Sequence, residues 1–206
     1  MKFIDISEYI EENRRYYPTL PPVKIEWLRH YDKGHDHEVS YLSMPIHAAT
    51  HVDAPIHFIP NGASIDEIPL THFMGIAQVV SVKEKVINCE TLKTLKISEK
   101  IVLFKMKEWE DPRDYPYFEK DAAEYLVKKK VKLVGVESPS VDKFGDKKYP
   151  VHRILLNARI LIIEGLKLNH VKCGRYFFLC LPLKVKNLEG APCRAILIDL
   201  GEVLNK

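Results

Sequence analysis

Eleven residues, His47-Ala48-Ala49-Thr50-His51-Val52-Asp53-Ala54-Pro55-Ile56-His57, restrict this chain more than any other stretch. They hold three of its nine histidines and an aspartate, set among small or apolar residues. That mixture suits neither a hydrophobic core nor a solvated surface. It suits a metal ion with a proton-transferring group beside it. In an α-helix, His47 and His51 would share a face one turn apart. Asp53 would then point about 200° away from His51, at about 100° per residue. In a straight strand all these residues share a face, but His47 and His51 lie about 13 Å apart at roughly 3.3 Å per residue. That is too far for one ion bound through N–Zn bonds of about 2.0–2.1 Å. The spacing therefore predicts a bend between His47 and His51, where Ala48 and Ala49 permit close approach. Extended chain follows, because Pro55 keeps Ala54 out of the helical region. His51 and Asp53 then converge on one ion, and His57 lies beside the metal. An isolated HxxxH is usually a surface pair on a helix; the added Asp53 and His57 set this one apart.

The length of 206 residues fits a single domain spanning residues 1–206 with a substantial core. Basic and acidic residues nearly balance, 31 against 28, and no basic run is interleaved with aromatics, which argues against nucleic acid as a partner. Lys128-Lys129-Lys130 falls at a predicted helix end, where cations offset the helix dipole. The four cysteines form no CxxC pair, no apolar run approaches the roughly 20 residues of a membrane span, and Met1–Ile6 does not read as a secretory leader. A cytoplasmic, reduced protein with buried cysteines and no membrane partner is the expectation. The chain contains no GxSxG, GxGxxG or GxxxxGK[ST], which argues against a serine hydrolase and a nucleotide binder.

Strands are predicted over residues 2–6, 23–30, 38–46, 75–82, 100–105, 131–136, 160–163, 177–183 and 195–200. Helices are predicted over Glu8–Asn13, from an Asp121 N-cap to about Lys130, and over Val151–Ala158. Strands outnumber helices, so a mixed sheet curved into a barrel-like shape is expected, with peripheral helices. Tyr16-Tyr17-Pro18-Thr19-Leu20-Pro21-Pro22 cannot be regular helix, and its tyrosines are either a pocket wall or packing residues. Far along the chain, Glu164 ends an apolar strand just before Gly165. A buried carboxylate needs a partner: a metal ion, or else Arg153 or Arg175.

The chain resembles the cyclase family, whose best-known members are the metal-dependent bacterial kynurenine formamidases. The family pattern HxGTHxDxPxH reads from His47 to His57. Gly135-Val136-Glu137-Ser138-Pro139-Ser140-Val141-Asp142 follows, then His152 and Glu164-Gly165-Leu166. Leu181-Pro182-Leu183-Lys184 and Gly190-Ala191-Pro192-Cys193-Arg194-Ala195 complete the order. The resemblance implies an α/β fold of the swivelling β/β/α type and a homodimer or homotetramer. It implies two metal ions per subunit, zinc or alternatively manganese. His47, His51 and Asp53 would hold the first; Asp53 and Glu164 would bridge to the second, completed by His152. His57 would be the acid–base residue. The implied reaction is attack of metal-activated hydroxide on the carbonyl of a small-molecule amide or formamide, as in an arylformamidase. Ring opening or cyclisation of a lactam, imide or lactone at the same metals is the alternative, as is a silent oligomeric ligand-binding protein. Two departures stand out. Ala49 replaces the family glycine. The N-terminal Trp that formamidases place against the substrate ring has no counterpart, leaving Tyr17 as the nearest substrate-binding candidate and Trp27 behind it.

Overall fold

The computed structural model describes residues 1–199 and 201. In chain order the strands and helices are β1 (Lys2–Asp5), β2 (Lys24–Arg29), β3 (Val39–Ser43), β4 (His51–Asp53), β5 (Met74–Ser81), β6 (Val86–Ile87), α1 (Cys89–Thr94), β7 (Ile101–Lys105), β8 (Tyr117–Phe118), α2 (Lys120–Lys128), β9 (Leu133–Val136), α3 (Pro150–Asn157), β10 (Leu161–Glu164), β11 (Gly174–Pro182) and β12 (Gly190–Asp199). The main sheet runs β1-β12-β11-β5-β7-β9-β10-β4, and β4 also pairs with β12. That last pairing closes seven strands into a barrel and leaves β1 beside the far half of β12. Within the main sheet, strands β5, β7, β9 and β10 are mutually parallel and the other pairings are antiparallel. The expected mixed, barrel-like sheet with few helices is the fold observed.

Alternation within each strand explains the two cores. Val52, Val79, Leu103, Leu133, Ile163, Phe178 and Leu197, from all seven barrel strands, fall in one buried cluster inside the barrel. Val80, Val102, Phe104, Val134, Val136 and Ile162 point outward and pack with Leu126 of α2 and Leu155 of α3. Strands covered on both faces read as continuous apolar runs, which is why β7 and β10 were legible as buried. No helix among the described residues is long and apolar enough to cross a membrane.

Several local expectations are corrected. Glu8–Asn13 is not helical; Glu8 N–H donates to Thr50 Oγ1 and Asn13 N–H to the Val23 carbonyl, which holds the segment across the barrel end. The N-cap of α2 is Glu119, not Asp121. Glu119 N–H is tied to the Ile87 carbonyl, so the helix starts earlier and Asp121 sits in its first turn. Helix α1 and strands β6 and β8 were not anticipated. Cys180 is buried, but Cys173 is exposed and Cys89 and Cys193 are half-buried. Leu200, the last residue of the expected 195–200 strand, lies outside the described residues.

Candidate metal centre

The chain turns sharply after Ile46, and Ala49 adopts φ +53°. An L-residue in the left-handed region costs roughly 1–2 kcal/mol. The Ala49 carbonyl then accepts a hydrogen bond from His51 Nδ1 at 3.0 Å. Because a carbonyl only accepts, His51 Nδ1 carries a proton and its Nε2 faces inward. From His51 the chain runs extended as β4, so His51 and Asp53 share one face while Val52 enters the barrel core. Pairing of β4 with β10 sets Glu164 opposite His51. Residues 113 positions apart in sequence are thereby brought side by side by register alone.

Helix α3 contributes His152. Asp142 accepts from the Val151 and His152 backbone N–H groups at 2.9 and 3.1 Å, and from His152 Nδ1 at 2.6 Å. This leaves His152 Nε2 3.4 Å from Asp53 Oδ2 and 3.3 Å from Glu164 Oε1. His51 Nε2 lies 3.5 Å from Asp53 Oδ1 and 3.4 Å from Glu164 Oε2. Val141 N–H donates to Glu164 Oε1 at 2.9 Å and orients that carboxylate. His47 Nδ1 stands 2.9 Å from Asp53 Oδ1, and its ring stacks on His57 with centroids 4.2 Å apart. All six residues named for the site from sequence are therefore in one place. The structural alternatives for Glu164 are elsewhere: Arg153 donates to the carbonyls of Lys148 and Phe58, and Arg175 pairs with Glu99.

The charges in this cluster are set by one another. Burial opposes ionisation of Asp53, yet His47, His152 and His51 hold its carboxyl well below the usual range. Burial and Asp53 raise Glu164, but His152 and His51 prevail and lower it. Burial lowers His51, while the Glu164 and Asp53 carboxylates raise it from 6.5 to about 9. His152 is raised well above its ordinary value against the same burial, by Asp142, Asp53 and Glu164. His57 goes the other way: burial, joined by His47 and His152 and opposed by Asp53, pushes it down to about 4.

These residues fit a metal. His51 Nε2, His47 Nε2 and Asp53 Oδ2 are buried without a hydrogen-bond partner, and orphaned buried polar atoms are costly and rare. Ligand atoms of His51, Asp53 and Glu164, and of His47, Asp53 and His57, each lie within 4.8 Å of one another. Asp53 is common to both groups, and His57 stands among the ligand atoms rather than apart from them. Imidazole with carboxylate is a donor set for zinc or manganese.

Two pockets of about 210 and 270 Å³ meet at this cluster, with His47 in the lining of both. The smaller is walled by Tyr17, Phe58 and Tyr149 beside His57, His152 and Glu164. The larger carries Arg14, Arg15, Tyr16 and Trp109 beside His51. Tyr17 is thus at the site, whereas Trp27 is exposed on β2 and stacks edge-on against His30. Sequence reasoning assigned no role to Asp142, Phe58 or Tyr149. The one available signal was Tyr149-Pro150 placed just before His152, since Tyr149 takes φ +46° to turn the chain into α3.

Comparison with known proteins agrees with this geometry. Residues 4–143 match the model of the Cyclase family. A kynurenine formamidase from Geobacillus thermodenitrificans is 32% identical over 205 residues, covering 97% of this chain and 98% of that protein. A solved structure described as a potential metal-dependent hydrolase with cyclase activity superposes with a TM-score of 0.82 at 29% identity, covering 95% of this chain and 96% of that one. An isatin hydrolase A from Labrenzia aggregata shares the fold, with a TM-score of 0.81 at 22% identity over 95% of this chain and 93% of that one. Given the match over most of its length and the convergence of the His47–His57 segment with His152 and Glu164, the chain belongs to the cyclase family.

Proposed function

We propose that this protein is a metal-dependent hydrolase that cleaves the amide of a small aryl formamide, as its kynurenine formamidase relatives are named for doing. The observation that carries this reading is the junction of an aromatic pocket with buried imidazole and carboxylate atoms that lack hydrogen-bond partners. His47, His51, Asp53, His152 and Glu164 would hold the metal, two ions of zinc or manganese. A divalent ion bound there lowers the pKa of a coordinated water to about 7 and polarises a carbonyl oxygen.

The chain's own residues supply the rest. Ala49 and Asp142 fix the tautomers of His51 and His152, so that both present Nε2 without rearrangement. Asp53 and Glu164 stay ionised and offset cationic charge. His57 is held neutral at pH 7 and can therefore accept a proton from the attacking water and pass it to the leaving nitrogen. Tyr17, Phe58 and Tyr149 orient a flat ring and exclude water from one side. The test is turnover of N-formylkynurenine, isatin and simple lactones by metal-loaded, chelator-treated and re-loaded protein. Formamide hydrolysis that disappears with the metal and returns with zinc or manganese is the expected result. Preference for isatin or a lactone would replace the formamide reading with ring opening, and stoichiometric metal without turnover on any of them would replace it with ligand binding.

A further inference from the structure

Tyr115 is the largest fully buried side chain among the described residues, 1% exposed, and its hydroxyl has no hydrogen-bond partner. A buried donor left unsatisfied is costly, and phenylalanine would fill nearly the same space without that cost. The loop before β8 fixes the residue. Asp111 turns the chain by accepting from Arg113 N–H through Oδ1 at 2.8 Å and from Asp114 N–H through its carbonyl at 2.9 Å. Pro116 restricts Tyr115 to extended backbone, and Phe118 N–H is tied to the Val141 carbonyl at 2.9 Å. The hydroxyl then lies beside Tyr17, Ser140 and Glu164. All three line the aromatic pocket at the metal centre, whereas Tyr115 stands behind them.

Most oxygens around this hydroxyl are already engaged. Ser140 Oγ accepts from Asp142 N–H at 3.3 Å, and the Ser140 carbonyl accepts from Ser138 Oγ at 2.7 Å. Glu164 accepts from Val141 N–H, and its two oxygens face His51 and His152. Tyr17 Oη remains. Burial raises the Tyr17 phenol, but the Tyr115 hydroxyl lowers it, which is the effect of a donor on the oxygen it faces. Burial, joined by Tyr17 and Glu164, raises Tyr115, so it stays protonated and able to donate. The Tyr17 phenol also feels Tyr149, Glu164 and His152, all in the pocket lining, so it faces the space where a ring would sit.

We propose that Tyr115 is a positioning residue, whose hydroxyl donates to Tyr17 Oη when Tyr17 in turn donates to an oxygen carried on the ring of the bound substrate. A phenol that gives its proton to an acceptor becomes a better acceptor itself, so the two bonds strengthen together. Hydrogen bonds that serve a substrate are often poorly aligned until it binds, which is why so buried a hydroxyl stands beside Tyr17 unbonded. The substrate class is an aryl amide with a second oxygen acceptor, such as an acyl group, besides the scissile carbonyl. The choice of an aryl amide rests on the proposed function.

The test compares formanilide with its ortho, meta and para acetyl derivatives on metal-loaded protein, as the ratio of kcat/KM for each derivative over the parent. Ratios between variants cancel the intrinsic reactivity of each compound. Wild type should favour one acetyl isomer, chiefly in KM. Tyr115→Phe should lower that ratio about 3–10-fold, the range of a neutral hydrogen bond, while Tm stays level or rises because a buried orphan is removed. Tyr17→Phe should lower the ratio at least as much, and adding Tyr115→Phe to it should change nothing further. A wild type indifferent to the acetyl group would overturn the proposal. So would a Tyr115→Phe variant with an unaltered ratio, or losses that simply add in the double variant. Should the formanilides bind without being hydrolysed, calorimetry reads the same ratios from Kd, and the hydrolase reading fails while this one is still decided. Formanilides that neither bind nor react would overturn both.

Discussion

Each imidazole in the cluster carries a different burden, and substitution separates them. Asp53 touches His47, His51 and His152 and is common to both groups of converging ligand atoms. Asp53→Ala should abolish metal content and turnover together. His57→Ala should keep the metals and lower kcat by roughly 10²–10⁴-fold, the span of general acid–base catalysis. Elemental analysis alongside steady-state rates decides this, and metal loss in the His57 variant would make it a ligand, as its place among the ligand atoms would then require. Asp142 never reaches the converging atoms but fixes the His152 ring through Nδ1. Asp142→Ala should weaken metal binding about 10–100-fold, measured by chelator competition.

Strand β4 is only three residues long, yet its neighbours on both sides determine whether the site exists. Behind it, Gly165 packs against the strained turn: a Cβ there would lie 2.5 Å from the Ala49 carbonyl oxygen, at φ +71°. Thr50 Oγ1 donates to the Gly165 carbonyl at 2.6 Å and locks the same junction. Gly165→Ala should therefore cost about 2–5 kcal/mol, combining left-handed strain with overpacking. It should also displace the Ala49 carbonyl that orients His51. Urea denaturation measures the first effect and metal affinity the second; a variant as stable as wild type would show that the turn can shift.

The buried charges couple the site to the stability of the molecule as a whole. In metal-free protein the raised His51 stabilises the fold fully below its unfolded value of 6.5, and that contribution is lost as pH rises through about 9. The lowered carboxyls of Asp53 and Glu164 stabilise above their unfolded values of 3.8 and 4.5 and lose this as pH falls below them. His57, lowered to about 4, opposes folding progressively as pH falls from its unfolded value of 6.5, so metal-free protein should be most stable near pH 6.5. Metal binding must displace the histidine protons, so it strengthens as pH rises. The drop in Tm on adding a chelator should consequently be larger at pH 9 than at pH 6. Scanning calorimetry at the two pH values checks it, and an equal or reversed difference would contradict the charge assignment.

How much could be read before any tertiary contact was known follows from the range of the forces involved. The bend at Ala48-Ala49, the extended run through Asp53 and the buried strands around Leu103 and Ile162 depend on neighbours within a few residues: the restriction before Pro55, the reach of a metal–nitrogen bond, and unbroken apolar sequence. So did the choice of His47, His51, Asp53, His57, His152 and Glu164 as site candidates, with the resemblance supplying their grouping. The pairing of β4 with both β10 and β12, which closes the barrel and puts Glu164 against His51, is a matter of register between distant segments. The grip of Asp142 on His152, the pocket walls of Phe58 and Tyr149, and the placing of Tyr115 beside Tyr17 likewise arise only when the chain is folded. Local sequence determined which groups were available for chemistry; long-range packing decided where they meet and which are left without a partner.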